Sequence, residues 1–158
     1  MKVRTNVPSV SVLFVSVLLT VILFSVLAAE AKQTNLSERG DLAWQGYDGN
    51  DWEIYLYSKG TITQITDNDY DDYNPQINSK GQIVWQGSDG NDDEIYLYSK
   101  GAITQITDNA YDDRDPQINS KGQILWRGWD GNDWEIYLYS KGTITQITDN
   151  DYDDIFAD

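Results

Sequence analysis

Carboxylates dominate the chemistry available to this chain. Two stretches place aspartates at alternate positions, Asp67-x-Asp69-x-Asp71 and Asp149-x-Asp151-x-Asp153. That is the spacing that opens a Ca2+ loop, so these six residues are candidate ligands for a hard cation. Ala110 takes the middle position in an intervening copy, and Asp72 and Asp154 stand where such a loop carries glycine. A second acidic motif, Asp48-Gly49-Asn50-Asp51-Trp52, returns as Asp130-Gly131-Asn132-Asp133-Trp134 with Trp129 before it. Asp48, Asn50, Asp51, Trp52, Trp129, Asp130, Asn132 and Trp134 are therefore candidate ligand contacts. Their carboxylates and amides can hydrogen-bond, while a neighbouring indole stacks on a sugar or anchors a protein partner. Turn formation alone also favours Asp and Asn at such places, and both readings stand at this point.

The chain has no Cys and no His. Disulfides, thiolate metal sites, a cysteine nucleophile and a Ser-His-Asp triad are excluded. A pair of carboxylates could cleave a glycosidic bond, but the same aspartates recur throughout and single out no pair. A non-enzymatic role is the expectation. Net charge is −15 over 158 residues, and residues 32–158 carry 25 Asp and Glu against 9 Lys and Arg. Nucleic-acid binding needs basic surface to displace counterions, so it is disfavoured. Such charge would also suit disorder, but Trp and Tyr recur at regular intervals and argue for a packed fold.

That regularity is a repeat. Trp44, Trp85 and Trp126 are 41 residues apart, as are Glu53, Glu94 and Glu135, and Asp41–Gly81 matches Gln82–Gly122 at 32 of 41 positions. Each unit reads as four short strands. In the central one they are strand A at Pro75–Asn78, B at Gln82–Gly87, C at Glu94–Ser99 and D at Ala102–Thr107, with an acidic link Asp108–Asp115 to the next unit. Strands B and C are apolar on both faces, so the sheet must be covered on both sides. Four strands in about 40 residues suit a β-propeller blade; a solenoid of stacked sheets is the competing architecture. The expected fold is all-β, with three blades of four antiparallel strands near 33–66, 74–107 and 115–148 and an acidic tail at 149–158. Mid-strand Trp44, Trp85 and Trp126 belong to the packing between blades, and Tyr70, Tyr111 and Tyr152 read as structural.

The order of these elements resembles the TolB-type, WD40-like propeller repeat. Strand D ends in Ile-Thr, an acidic link leads to Pro75, and Asn78-Ser79-Lys80-Gly81 stands where that family has a Ser-Pro-Asp-Gly hairpin. Ile83-Val84-Trp85-Gln86-Gly87 then fills the following strand, and Glu94-Ile95-Tyr96 stands for Asp-Ile-Tyr. The resemblance covers residues 33–158 and implies a propeller.

Alternating strand direction sorts the charges. The A–B and C–D turns hold Arg39, Lys59, Lys80, Lys100, Lys121 and Lys141, whereas the B–C and D–A loops hold Asp48, Asp51, Asp67, Asp69, Asp71 and Asp72. One end should be basic and the other strongly acidic, and the acidic end is the expected ligand face. It would take a protein partner in a scaffolding role or, through the loop Trp residues, a glycan in a lectin-like one; a fragment of a propeller hydrolase or lyase is the third reading. No cofactor is required by the sequence, and Ca2+ is the one candidate.

Residues 1–31 read as an export signal, with Lys2 and Arg4 before an apolar run at Val10–Leu27 and Ala29-Glu30-Ala31 as a cleavage site. The run also has the length of a membrane anchor over residues 10–29, and both fates are open. Either one places the repeats outside the cytoplasm, whether secreted, periplasmic or on the cell surface. Three blades fall short of the usual four to eight of a closed ring, so two readings stand: a homodimer completing a six-bladed ring, or an incomplete propeller.

Overall fold

The structure, a computed structural model, describes residues 36–156. The segment read as a signal or anchor lies outside them. Among the described residues no helix is long and apolar enough to cross a membrane. The first sheet holds β1 (Leu42–Tyr47), β2 (Trp52–Ser58) and β3 (Thr61–Gln64). The second holds β4 (Asp72–Ile77), β5 (Ile83–Ser88), β6 (Asp93–Ser99) and β7 (Ala102–Gln105). The third repeats it as β8 (Asp113–Ile118), β9 (Ile124–Trp129), β10 (Trp134–Ser140) and β11 (Thr143–Gln146). Every pairing is antiparallel between consecutive strands, the up-and-down order of a propeller blade. In the first blade the described part of strand A contributes one bridge, between Leu36 and Leu42.

Turn chemistry sets the register. Lys59-Gly60 joins β2 to β3 in a two-residue hairpin with Ser58 opposite Thr61, and both turn residues have positive φ, 51° and 83°. That is the twist a tight hairpin between right-twisted strands requires. At the A–B turn the Asn78 amide oxygen accepts from Lys80 N at 2.9 Å and Gln82 N at 3.1 Å.

Two strand boundaries differ from the sequence reading. Strand A begins at Asp72 and Asp113 instead of at the proline, because Asp72 already pairs with Gly87. The ladder continues past a bulge between Tyr73 and Gln76, where Asn74 sits at φ 53° and Pro75, which has no N–H to offer, causes no loss. Strand D stops at Gln64, Gln105 and Gln146. Beyond it the Thr66 hydroxyl accepts from Ile54 N at 2.8 Å, taking the place of a ladder carbonyl, and the chain leaves the sheet.

Packing alternates as the strand period dictates. Ile83 and Trp85 of β5 pack with Ala43 and Ile54 of the first blade, while Val84 and Ile95 pack with Ile124 and Trp126 of the third. Polar bonds also cross between blades. Gln45 and Gln86 in strand B accept from the bulge amides of Asn74 and Asp115 in the next blade, each at 2.9 Å. The indoles of Trp85 and Trp126 are buried, and each donates to a buried carboxylate, Asp72 or Asp113, at 2.7 Å. Trp44 is only half-buried, and Ala31 aligns with Asp72 in its repeat. Glycine is required beside the indole bond. A Cβ on Gly87 or Gly128 would fall on the Asp72 or Asp113 carboxylate.

Replacing Trp85 or Trp126 with Phe leaves a buried carboxylate oxygen without its donor, and each change is expected to cost about 2–3 kcal/mol in urea unfolding. Trp44→Phe serves as the mild control. Gly87→Ala is expected to cost about 1–3 kcal/mol through overpacking. Burial pushes the Asp72 carboxyl up to about 6 against the bonds from Asn68 and Trp85, which lower it. The folded state thus holds this proton more tightly than the unfolded chain, so the group's contribution to stability falls as pH rises from about 4 to 6. The difference in stability between wild type and Asp72→Asn is accordingly expected to be smaller at pH 7.5 than at pH 4.5.

Candidate functional site

The acidic end is built around one glutamate per blade. Glu53, Glu94 and Glu135 lie one residue into strand C or at its second position, on the tyrosine face, and each is fully buried. One oxygen of each is spoken for. Oε1 accepts from the backbone N of Asn68, Asn109 or Asn150 at 2.8, 2.7 and 2.7 Å, which pins the D–A link over the blade. The Asn68 amide then donates to Asp72 Oδ2 at 2.8 Å and accepts from Tyr70 N at 2.8 Å. Oε2 has no hydrogen-bond partner in any of the three blades.

Each of these glutamates also offers a carboxylate oxygen to the B–C loop. Asp48 Oδ1 accepts from Asn50 N at 2.8 Å and, more weakly, from Asp51 N at 3.4 Å, which bends the loop back on itself. The result is a triad of carboxylates, Asp48, Asp51 and Glu53, in which one oxygen from each lies within 4.8 Å of the others. Asp89, Asp92 and Glu94 form the second triad and Asp130, Asp133 and Glu135 the third. Further oxygens there are buried without a partner: Asp51 Oδ1, Asp92 Oδ1 and both of Asp133. Electrostatics follow. Burial, then the charges of Asp48, Asp71, Asp69 and Asp67, raises the Asp51 carboxyl above its ordinary range. Burial pushes Glu94 up to about 7, opposed by the nearby Thr107 hydroxyl and by the backbone N–H of Asn109.

The candidate residues from the sequence separate into three groups. Asp48, Asp51 and Asp130 are triad members, with Asn50 and Asn132 exposed in the same loops. Asp67, Asp69, Asp71, Asp149, Asp151 and Asp153 belong to no triad among the described residues. Asp71 Oδ1 instead caps strand C by accepting from Trp52 N at 3.0 Å, and Asp153 does the same for Trp134 N at 3.2 Å. Their neighbours Asp67, Asp69, Asp149 and Asp151 are exposed, and Asp67, Asp69 and Asp151 act on the triads through their field. The loop aromatics are mutually packed: Trp52 lies between Tyr47 and Tyr73, and Trp134 meets Trp129 edge-on at 5.7 Å with Arg127 over its face at 4.5 Å. The buried glutamates, with Asp89, Asp92 and Asp133, are the members that the sequence reading did not place in a site. The signal of the glutamates was a carboxylate repeated in strand register with every lysine of the repeats assigned to the far end.

Charge is sorted between the two ends as expected, with one amendment. Arg39 donates to Lys80 O at 3.5 Å and Asn78 to Asn119 O at 3.0 Å, which brings the A–B turns of successive blades together at the lysine end. Arg114 and Arg127, however, belong to the strands of blade 3 and pair with Asp93, Asp112 and Asp115 at 2.6–3.0 Å.

A cleft opens between each link and the following blade. The first, about 600 Å3, is lined by Asn68, Tyr70, Trp85, Asp89 and Tyr96 among others. Its counterpart, about 710 Å3, is lined by Asn109, Tyr111, Trp126, Asp130 and Tyr137, and Trp129 joins it in place of Ser88.

No family model matches the chain, and no curated protein matches it in sequence. Solved structures do match in fold. The β-propeller domain of the Trilobed protease from Pyrococcus furiosus aligns with a TM-score of 0.60 at 15% identity, over 72% of this chain and 38% of that one. TolB from Acinetobacter baumannii aligns with a TM-score of 0.56 at 15% identity, over 72% of this chain and 31% of that one. Dipeptidyl peptidase 4 from Porphyromonas gingivalis gives 0.61 at 15% identity, over 74% and 19%. This chain therefore spans between about a fifth and two fifths of the length of these proteins. Its three sheets are consecutive blades of a TolB-like β-propeller.

Proposed function

We propose that this chain is a non-enzymatic binding or scaffolding module that works outside the cytoplasm and presents its acidic end to a protein partner. The observation that supports this reading most directly is the three-fold repetition of one loop-and-link surface at that end. An enzyme needs one site with differentiated groups, whereas repeated identical groups suit a ligand that spans several blades. The acidic field would steer a cationic partner surface toward it. Export rests on the leader at residues 1–31.

Carbohydrate binding is the second reading, favoured by the larger cleft, where Trp129, Tyr111 and Trp126 stand beside Asp130 and Asn109. Aromatic faces next to hydrogen-bonding carboxylates and amides are what a sugar ring requires. The homodimer also belongs to this proposal. Ile147, which corresponds to the half-buried Ile106, is 53% exposed on the outer face of blade 3, and a second copy would cover it.

Photo-cross-linking residues placed at Asn50, Asn91 and Asn132 are expected to capture a partner in the native host, whereas the same residue at Lys59, Lys100 and Lys141 captures none. Equal capture from both ends would defeat the acidic-face reading. A glycan array that lights up with wild type and goes dark with Trp129→Ser would shift the assignment to carbohydrate. Light scattering on the purified chain is expected to give twice the monomer mass, and a stable monomer would remove the homodimer.

A further inference from the structure

We propose that each blade binds one Ca2+ ion in its B–C loop, held by Asp48, Asp51 and Glu53 in blade 1, by Asp89, Asp92 and Glu94 in blade 2, and by Asp130, Asp133 and Glu135 in blade 3. The inference goes beyond the binding reading and rests on the loop geometry alone, so it can fail while the partner reading survives.

Clustered acidic residues on a surface prove little, since solvent and salt can screen them. Here the glutamate of every triad is fully buried, and its Oε2 has no partner in the protein. Asp133, 5% exposed, has both oxygens in that state, and Asp51, 8% exposed, has one. A buried acceptor without a donor costs free energy, and a buried carboxylate costs more. Such a group persists when a proton or a cation neutralises it. Among the described residues no basic side chain supplies the cation: the arginine pairs of this end involve Asp93, Asp112 and Asp115, none of which is a triad member.

Distance and donor type then select the ion. Two oxygens held at about 2.4 Å by one Ca2+ stand no more than about 4.8 Å apart, and the triad oxygens all lie within that distance of one another. Carboxylate oxygen is the donor of hard cations, and the chain has no His or Cys to recruit a softer metal. Mg2+ demands a tighter octahedron at about 2.0–2.1 Å, gives up its waters reluctantly and is usually held by one or two carboxylates, whereas each loop here offers three, which favours Ca2+. Asp48 and Asn50 are exposed, which leaves the solvent side open for waters to complete the shell. The Asp48 turn holds the loop in the required shape before the ion arrives.

The loop also tells this site apart from the alternate-aspartate stretches. Those carboxylates cap strands or face solvent, whereas the triad oxygens converge from two directions, the loop and the strand below it. An ion there would bridge the B–C loop to the same glutamate that pins the D–A link. It would therefore rigidify the whole acidic end.

The test is calorimetry and native mass spectrometry on the full-length chain in mild detergent, stripped with EDTA and titrated with CaCl2. Three ions per chain are expected. Extracellular Ca2+ modules bind with Kd on the order of 10^-4 M, and Ca2+ at about 100 times Kd raises the folded-to-unfolded ratio about 100-fold per site. A Glu53→Gln, Glu94→Gln, Glu135→Gln variant keeps the Oε1 acceptor for the link and should fold, yet lose the calcium response. A second variant, Asp48→Asn, Asp89→Asn, Asp130→Asn, changes only the partly or fully exposed member of each triad and should weaken binding at least tenfold. Absence of heat and of any thermal shift up to 10 mM Ca2+ (about 100 times that Kd) would overturn the proposal. So would an equal shift with MgCl2 or with NaCl at matched ionic strength, or unchanged binding in both variants.

Discussion

Each blade of this protein turns on one buried carboxylate. The glutamate at the start of strand C takes the backbone amide of the link asparagine on one oxygen, and that bond decides where the chain goes next. The asparagine side chain, now fixed, donates to the aspartate that opens the following strand A. That aspartate in turn receives the indole of the following strand B. A relay of charge-assisted hydrogen bonds thus runs from strand C of one blade to the core tryptophan of the next. Apolar faces supply most of the driving force for blade stacking, but they are nearly flat and would tolerate sliding. The relay supplies the register, because its glutamates, aspartates and indoles are buried and lose their partners if the blades shift.

Every residue of the relay is present in the central repeat and in at least one neighbour, while the repeats differ in strand B, at Ala43, Val84 and Leu125, and on the rim of the acidic end, at Trp52, Asp93 and Trp134. One pair of positions shows how such differences are accommodated. In blade 1 and its link, Trp52 lies beside Tyr73 with ring centroids 6.4 Å apart. At the corresponding positions one repeat later, Asp93 meets Arg114 at 2.7 Å. An aromatic contact has become an ion pair with the strand spacing unchanged. The exchange is possible because both contacts join strand C of one blade to strand A of the next at a half-exposed place. Arg114 then also reaches within 5.8 Å of the Trp134 ring, so the two later blades have a rim held by charge and aromatic faces together. The frame is fixed, and the rim is free to vary.

Much of the frame was legible in the sequence. The 41-residue period, the hydrophobic alternation in Ile83-Val84-Trp85 and the Lys-Gly hairpins each obey a local rule, and local rules can be read one residue at a time. Strand A was harder. Asp72 and Tyr73 look like linker beside their acidic neighbours, and only pairing with Gly87 and Gln86 across a bulge makes them strand. The candidate site was half visible for the same reason. The aspartates of the B–C loop announced themselves, whereas Glu53 looked like an ordinary strand-edge charge, because its burial depends on a link that arrives 15 residues later. The alternate aspartates were the most conspicuous pattern, but backbone donors claim Asp71 and Asp153. Spacing along a chain cannot reveal which oxygens are already taken.

Repetition sharpens the electrostatic question. Placing a lysine near each triad would have been the simplest way to offset three convergent carboxylates, and the repeats have lysines, yet every one of them sits in a turn at the opposite end. Copying the loop therefore copies its unfavourable self-interaction, and buried charges are screened far less by salt than exposed ones. The arginines relieve the rim of blades 2 and 3 but leave the triads untouched. Whatever offsets the charge must then be repeated as well, at the spacing of the blades. A bound divalent ion in each loop meets that condition and lowers each triad from three negative charges to one. A basic partner surface could then approach an end that is ordered and still acidic. In that arrangement the ion comes first, as part of the fold, and recognition is built on what it leaves uncompensated.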